Sequence, residues 1–298
     1  MDVLILGCGY VGMRIAKQLA AGGNKVYGAR RRIDDPTEFE DSNVIPIELD
    51  ITDVAQLDKI PQETQWCVNA VSSSRGGAEV YRQVYLQANR SLVSRLQTLL
   101  RFEHFVQISS TSVFGQTDGS WVDETSERYP STETSRILVE AEDDLLQTAA
   151  ANAFPASIAR VSGIYGPERG YLFHQFLKGE ATMVDDGSRI INMIHVDDIV
   201  GAILQILAQA RPGTSINLTD SSPTTQREFF TWLVQELGGT LPPSASPEAL
   251  RKRKRAVTNK RVSNTRLVKN LGYTLQYPTF REGYFEEIQK AKRARSQK

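Results

Sequence analysis

The stretch Val3-Leu4-Ile5-Leu6-Gly7-Cys8-Gly9-Tyr10-Val11-Gly12 decides how the rest of the chain is read. Its apolar start makes a short, buried-looking strand. Glycines follow in the G-x-G-x-x-G spacing. Val11, Ile15 and Leu19 then recur at every fourth residue, beside a small-residue stripe of Gly12, Ala16 and Ala20. That pattern is an amphipathic helix with a flat side for close packing on a sheet. Gly22-Gly23-Asn24 stops it. A strand, a glycine turn and a helix in this order make a phosphate-binding turn. Gly7 supplies the tight turn, Gly9 lets the backbone approach a pyrophosphate, and Gly12 lets the helix lie close on the strand. The helix start offers N–H groups and a positive dipole end to the phosphates. Gly7, Cys8, Gly9, Tyr10, Val11 and Gly12 are therefore the expected loop of a dinucleotide site. A turn that needs its glycines only for packing is the simpler alternative, and the flanking strand and helix weigh against it.

Strand-like and helix-like segments alternate onward from this loop. Strands are expected over Lys25 to Ala29, Val44 to Leu49, Trp66 to Val71, Phe105 to Ser109, Ser157 to Val161 and Ser215 to Leu218. Helices are expected over Tyr10 to Ala21, Ala78 to Leu100, Thr134 to Ala150 and Asp197 to Ala210. In the second of these, Val80, Val84, Leu92, Leu96, Leu99 and Leu100 fall mostly on one side. In the last, Asp197 or Asp198 is the expected N-cap. Such alternation means a doubly wound parallel sheet with helices on both faces, a Rossmann-type α/β fold. After Ser221 the strand signal fades, and Thr225 to Leu237 is helix-like. The expected division is a nucleotide-binding domain of residues 1–165, to which 193–220 return. A smaller, mostly helical substrate or lid domain takes 166–192 and 221–298.

The end of the second strand speaks to which dinucleotide. An NAD site places a carboxylate there to hold the ribose 2′-hydroxyl. Here the segment is Ala29-Arg30-Arg31-Arg32. A carboxylate repels a 2′-phosphate, whereas a guanidinium grips it with paired hydrogen bonds. NADP(H) is therefore the expected cofactor, with Arg30 and Arg31 as its phosphate contacts. A solvated arginine cluster, partly neutralised by Asp34 and Asp35, is the alternative.

Further segments extend the pattern along nearly the whole chain. They are Asp50-Ile51, Asn69-Ala70-Val71, Asn89, Ile108-Ser109-Ser110-Thr111-Ser112-Val113-Phe114-Gly115, Arg160 to Pro167, and Ile194-His195-Val196-Asp197-Asp198. With these the chain resembles the extended, atypical short-chain dehydrogenases/reductases, the NAD(P)-dependent epimerase/dehydratase family. The resemblance implies that Asp50 and Ile51 sit by the adenine and that Asn69, Ala70 and Val71 line the dinucleotide groove. Ser110 matches the family's catalytic Ser/Thr, whose hydroxyl bonds a substrate oxygen. In this family the helices after strands four and five often form a four-helix dimer interface, so a homodimer is one expectation.

The chemistry of that family needs Tyr-x-x-x-Lys on the helix after strand five. An i, i+4 pair shares one helix face, and the ammonium favours the phenolate. Matching the flanking S-K-x-x-x-E onto Ser135-Arg136-Ile137-Leu138-Val139-Glu140 puts Arg136 at the lysine and Thr132 at the tyrosine. Threonine is a poor acid or base near neutral pH. Arg136 keeps a positive charge for the nicotinamide ribose, or else pairs with Glu140 on a wet helix face. Tyr129 is the nearest phenol, with Glu133 and Tyr165 as weaker stand-ins. The residues with which sugar-nucleotide epimerases hold a diphosphate are replaced by Gly163 and Ile191, with Arg189 two residues before the latter. The dehydratase Asp-Glu pair is replaced by Thr111-Ser112.

Bulk properties narrow the classes. The 298 residues suit one large domain and a smaller partner. Net charge is zero, so no broad preference for nucleic acid or an anionic membrane is indicated. No apolar run approaches the ~20 residues of a membrane helix, and no signal-peptide pattern opens the chain. Cys8 and Cys67 fit a reducing compartment, and the cytoplasm is expected. His104, His174 and His195 have no partners at metal spacing, so no metal site is expected. His195 reads as a structural hydrogen-bonder. Arg251-Lys252-Arg253-Lys254-Arg255 reads as a solvated basic run. The expected function is an NADP(H)-dependent oxidoreductase or epimerase for a small polar, sugar-like substrate. The alternative is a non-catalytic NADP(H)-binding sensor or partner protein.

Overall fold

The computed structural model describes residues 1–40, 42–73, 76–246, 248 and 258–296. The basic run at 251–255 lies outside the described residues. The chain divides into two compact units. One holds Met1–Val113, Glu133–Arg160 and Ile199–Ile216, and the other holds Phe114–Thr132, Val161–Asp198 and Asn217–Lys298.

The first unit is built on a seven-stranded sheet. Its strands are β1 (Asp2–Leu6), β2 (Lys25–Arg30), β3 (Val44–Glu48), β4 (Trp66–Asn69), β5 (His104–Ser110), β6 (Ala156–Val161) and β7 (Thr214–Leu218). They lie in the order β7-β6-β5-β4-β1-β2-β3. β1 pairs in parallel with both β2 and β4, β2 with β3, and β4 with β5. Val3 to Leu6 are fully buried, as a central strand covered on both faces requires. Strand order reverses between β1 and β4. In open α/β sheets that reversal opens a crevice at the carboxyl ends of the strands.

Helices α1 (Gly12–Ala21), α2 (Ala88–Leu96), α3 (Glu133–Asn152) and α4 (Val196–Gln209) follow β1, β4, β5 and the His195 turn. The run before α2 departs from expectation. It starts at Ala78 but contains a π-helical turn, Arg82–Gln87, and ends at Leu96 rather than Leu100. A π turn slips the phase of the apolar stripe by about one residue. Val80, ahead of the slip, and Leu100, beyond the end, are exposed. The cap of α4 also differs. The helix starts one residue earlier, and the His195 Nδ1 accepts the Asp197 N–H at 3.2 Å. Asp198 is instead fully buried, taking hydrogen bonds from the Tyr273 hydroxyl, Gln276 N and Tyr277 N.

Inside the first unit one ion pair is withdrawn from water. Glu142 on α3 is 2 % exposed and Arg160 on β6 is 3 % exposed. Arg160 Nη2 and Nε reach Glu142 Oε2 at 2.8 and 3.0 Å, and the Ser109 hydroxyl donates to Oε1 at 2.6 Å. The carboxylate thus ties α3 to the ends of β5 and β6.

The second unit is packed around aromatic side chains. Tyr165, Phe173, Phe229, Phe230, Phe280 and Tyr284 are among its largest buried groups, with Tyr165 stacked on Tyr284 at 4.4 Å between ring centres. Its helix α5 (Gln226–Leu237) opens with a capping box of Thr225 and Glu228. Two-residue and three-residue strands, which the sequence pattern did not reveal, draw extra segments into this unit. Trp121–Val122 pairs with Arg261–Val262, and Gly163–Tyr165 pairs with Met193–His195. Residues 114–132, 161–165, 193–198 and 217–220, expected in the nucleotide-binding domain, group with the second unit.

Asp220 is buried here at 1 % exposure. One of its oxygens accepts Ser222 N, and the other has no hydrogen-bond partner among the described residues. Burial, with Asp198 and Glu282 adding like charge, pushes its carboxyl up to about 7.

Two stability predictions follow from these buried groups. Glu142→Ala leaves the Arg160 guanidinium buried without its carboxylate, and should cost about 3–5 kcal/mol in urea unfolding. Asp220 ionises in the unfolded chain near pH 4 but in the folded chain only near 7. Folding stability from this group therefore falls as pH rises from about 4 to about 7. Asp220→Asn should match the parent below pH 4 and exceed it by about 2–4 kcal/mol above pH 7, measured by unfolding across that range.

Candidate functional site

The glycine loop sits where the strand order turns. Gly7 has φ +80°, a left-handed conformation, and a side chain there would meet Val71 N and Ala70 C at 2.7 and 2.8 Å. A side chain on Gly12 would strike the Gly7 carbonyl. Gly9 differs. A Cβ there meets nothing within 4 Å. Two of the three glycines are thus demanded by protein packing, whereas the space beside Gly9 is left open. Helix α1 begins behind this space with Val11 at its N-cap, no side-chain cap and no acidic residue in its first turn. An anion is what such a helix end lacks. Tyr10 lies to one side, its ring under the Arg14 guanidinium at 4.1 Å.

Cys8 holds the loop from below. Its side chain is fully buried, and burial pushes the thiol up to about 12, so it packs as an apolar group. Gly28 on β2 makes this possible, since a Cβ there would lie 2.9 Å from the Cys8 sulfur. The sequence reading passed over Gly28. A glycine within a strand, opposite a bulky loop residue, is the signal it missed.

The arginines at the end of β2 have unlike surroundings. Arg30 donates through Nε to the Cys8 carbonyl at 2.6 Å, pairs with Glu38 and lies over the Phe39 ring. It braces the glycine loop, and its charge is matched. Arg32 pairs with Asp34 at 2.7 Å on the surface. Arg31 is exposed and forms no ion pair among the described residues.

The remaining groove residues are set by the strand ends. Asn69 is buried, with its amide donating to Asn89 Oδ1 and Gln107 Oε1 and its oxygen accepting Val71 N at 3.2 Å. It shapes the 69–71 turn against which Gly7 presses, and only Ala70 and Val71 are partly open. Asp50 accepts from both the backbone and the hydroxyl of Thr52, fixing the turn after β3. Ile51 is 4 % exposed and belongs to the apolar core under the sheet.

Ser110 ends β5 half-buried, its Oγ accepting Ser112 N at 3.1 Å. That leaves the hydroxyl proton to be donated elsewhere. Ser110 and Arg136 belong to the first unit, and Tyr129 and Thr132 to the second. Thr132 immediately precedes α3. Arg136 is exposed on α3, and Glu140 pairs with Arg82 at 3.1 Å. The buried face of this helix carries Ser135, Leu138 and Glu142. Counting back from Glu142 in steps of four gives Leu138 and Thr134. Neither register, Thr132 with Arg136 or Thr134 with Leu138, supplies a tyrosine and a lysine. Tyr129 is 52 % exposed and its hydroxyl donates to the Glu127 carboxylate, which raises its pKa. Tyr165 is 1 % exposed, and burial drives its phenol far above the ordinary range. Among the described residues no group of three metal-binding side chains comes together, and no helix is long and apolar enough to cross a membrane.

Residues 3–219 match the NAD dependent epimerase/dehydratase family, and the chain belongs to it. It is 28 % identical to protein YeeZ of Escherichia coli over 283 residues, covering 93 % of this chain and 96 % of that one. A solved structure from Methylobacillus flagellatus, described as a putative NAD-dependent epimerase/dehydratase, is 29 % identical. It superimposes with a TM-score of 0.77 over 98 % of both chains. The dTDP-glucose 4,6-dehydratase DesIV of Streptomyces venezuelae, with NAD and TYD bound, shares the fold. Its TM-score is 0.82 at 18 % identity, covering 99 % of this chain and 98 % of that one.

The open space at Gly9 yields a clean test. Gly9→Ala should leave the melting temperature within about 2 °C of the parent, because the added Cβ displaces nothing in the protein. Dinucleotide affinity, read by fluorescence titration, should fall by about tenfold or more.

Proposed function

We propose that this chain binds NADP(H) across its glycine loop and acts as an oxidoreductase or epimerase on a small, polar, sugar-like substrate. The carrying observation is the end of β2. It bears Arg30 and Arg31 in place of the carboxylate that holds an unphosphorylated ribose. Because Arg30 is matched by Glu38 and braced on Cys8, Arg31 is the cation left for a 2′-phosphate.

A nicotinamide dinucleotide supplies a hydride donor or acceptor when bound. The residues of the chain hold and orient the reactants. Main-chain N–H groups at the start of α1 would hold the pyrophosphate beside Gly9. Ala70 and Val71 would form the wall behind it. Ser110 donates its hydroxyl proton to a carbonyl or hydroxyl oxygen of the substrate, which fixes that oxygen at the end of β5. With Thr at the tyrosine position in either register of α3, proton transfer falls to water or to the substrate itself. The same observation favours a second reading, in which the chain binds NADP(H) as a sensor and performs no turnover.

Substitutions at β2 separate the two arginines. Arg31→Ala should weaken NADPH binding by about 10–100-fold and leave NADH binding nearly unchanged. Arg30→Met should weaken both, because the loop loses its brace. Equal losses for both cofactors in Arg31→Ala would remove the NADP(H) reading. Consumption of NADPH against a panel of carbonyl and sugar compounds decides between the readings. Loss of that activity in Ser110→Ala supports the enzyme, and tight binding without turnover supports the sensor.

A further inference from the structure

In the second unit, the paired segments Trp121–Val122 and Arg261–Val262 border a cavity that the dinucleotide reading does not use. It is open to solvent, measures about 350 Å³ and is lined by Trp121, Val122, Asp123, Ser126, Ser263 and Thr265. Pockets for small ligands begin at about 300 Å³. Backbone bonds fix its walls. Arg261 N donates to Ser120 O and Ser263 N to Val122 O, both at 2.8 Å. Asn217 Nδ2 reaches the Ser263 carbonyl at 3.3 Å. Next in the chain, the buried Glu124 carboxylate accepts Asn217 N at 2.8 Å and pairs with Arg266 at 3.8 Å.

The polar groups of the lining are engaged unevenly. Asp123 Oδ1 accepts from N and Oγ1 of Thr125 and from N and Oγ of Ser126, at 2.7 to 3.1 Å. Among the described residues no donor reaches Asp123 Oδ2. The bonds from Thr125 and Ser126 hold this carboxyl below its ordinary range, so it is ionised near neutral pH. Ser263 Oγ donates to Thr265 Oγ1 at 3.0 Å and accepts Thr265 N at 3.2 Å, which leaves the Thr265 hydroxyl proton to be donated elsewhere. Trp121 is 62 % exposed, and its indole N–H meets no acceptor among the described residues.

One cavity thus offers an apolar ring face, two donors and one charged acceptor. Ligand classes meet these groups differently. An anion is repelled by Asp123, and the lining holds no lysine or arginine to offset that. An ammonium suits the ring face and the carboxylate, but it has no acceptor for the two donors. A hydroxyl both donates and accepts. A sugar ring carries hydroxyls along its edge and C–H groups on its faces, so it answers all of the groups at once.

We propose that this cavity binds a neutral sugar ring, its C–H face on Trp121 and its hydroxyls donating to Asp123 Oδ2 and accepting from Thr265. The site lies wholly within the second unit and calls for no dinucleotide, so it goes beyond the reading of the glycine loop and does not rest on it.

The test uses the full-length protein with its three tryptophans 5-fluorinated, and methyl β-D-glucopyranoside as the probe, with no dinucleotide added. The Trp121 fluorine resonance is assigned by its loss in Trp121→Phe. It should shift saturably, half-complete at about 1–10 mM, while Trp66 and Trp232 stay in place. Glycerol has hydroxyls but no ring face, and should not move it at the same concentration. Asp123→Asn keeps Oδ1 for the turn and turns the open acceptor into a donor, so half-saturation should rise about fivefold or more. Thr265→Val should raise it about threefold or more. Melting temperatures within about 2 °C of the parent check that both variants fold. A Trp121 resonance unmoved at about 50 mM probe, or moved as far by glycerol, overturns the proposal. An unchanged half-saturation in Asp123→Asn does so too. A stronger response to choline or to adenosine assigns the cavity to a cation or a base and likewise overturns it. Failure here leaves the dinucleotide reading intact, and a chain that took up no dinucleotide would still give its answer at Trp121.

Discussion

The structure depends first on how closely α1 can lie against the ends of β1 and β4. The Gly7 carbonyl, the Gly12 Cα and the 69–71 turn share a space that admits no Cβ at either glycine. That contact fixes where α1 begins, and with it the direction of the helix N-terminus. The turn it presses on is held in turn by the buried amide of Asn69. From the other side Arg30 reaches over from β2 to the Cys8 carbonyl. The loop is therefore gripped by three neighbouring strands before any ligand arrives. A phosphate entering beside Gly9 meets a site whose ordering cost has already been met by folding.

A second constraint acts at the other strand ends. Ser109 is one residue before Ser110, and its hydroxyl is bonded to the Glu142 carboxylate that Arg160 also holds. A buried ion pair of this kind adds little net stability over an apolar replacement, because desolvation offsets most of its attraction. Its effect is positional. The end of β5 and the sheet-facing side of α3 are set relative to one another by short, directional bonds. Their mutual placement is what any chemistry at Ser110 requires.

Much of this was legible in the sequence, for physical reasons that differ by region. The strand–turn–helix at the N-terminus was readable because glycine is nearly irreplaceable where backbones touch, as at Gly7 and Gly12. Central strands were readable because burial on both faces imposes continuous apolar runs, as at Val3 to Leu6. The π turn at Arg82–Gln87 was not, since it keeps a helix-like composition and alters only the phase. The three-residue pairing of Gly163–Tyr165 with Met193–His195 was not, since strands so short have no periodicity to detect. The separate environments of Arg30 and Arg31 were hidden as well. Adjacent identical residues on a strand end diverge only when Glu38 and the Cys8 carbonyl are brought to one of them. Glu142 was obscured by Glu140, which falls at the spacing of the family pattern yet faces Arg82 and solvent.

The loss of the tyrosine and lysine bears on binding and on chemistry unequally. The parts that would hold the pyrophosphate and a 2′-phosphate lie after β1, at the end of β2, on α1 and in the turn after β4, and none of them is on α3. Proton transfer is a separate task, and α3 is the element that has changed. A positioned general acid or base contributes about 10²–10⁴-fold to a rate. Without one on α3, and with Tyr165 buried and Tyr129 bonded to Glu127, neither of these two phenols supplies that factor in place of the missing tyrosine. Hydride transfer needs orientation more than it needs a proton donor, and in the proposed reading Ser110 with the braced loop is what orients. The chain therefore suits a reaction whose proton exchanges readily with water, or a binding role in which no proton moves. In both cases affinity for the dinucleotide is expected to survive where catalytic rate does not.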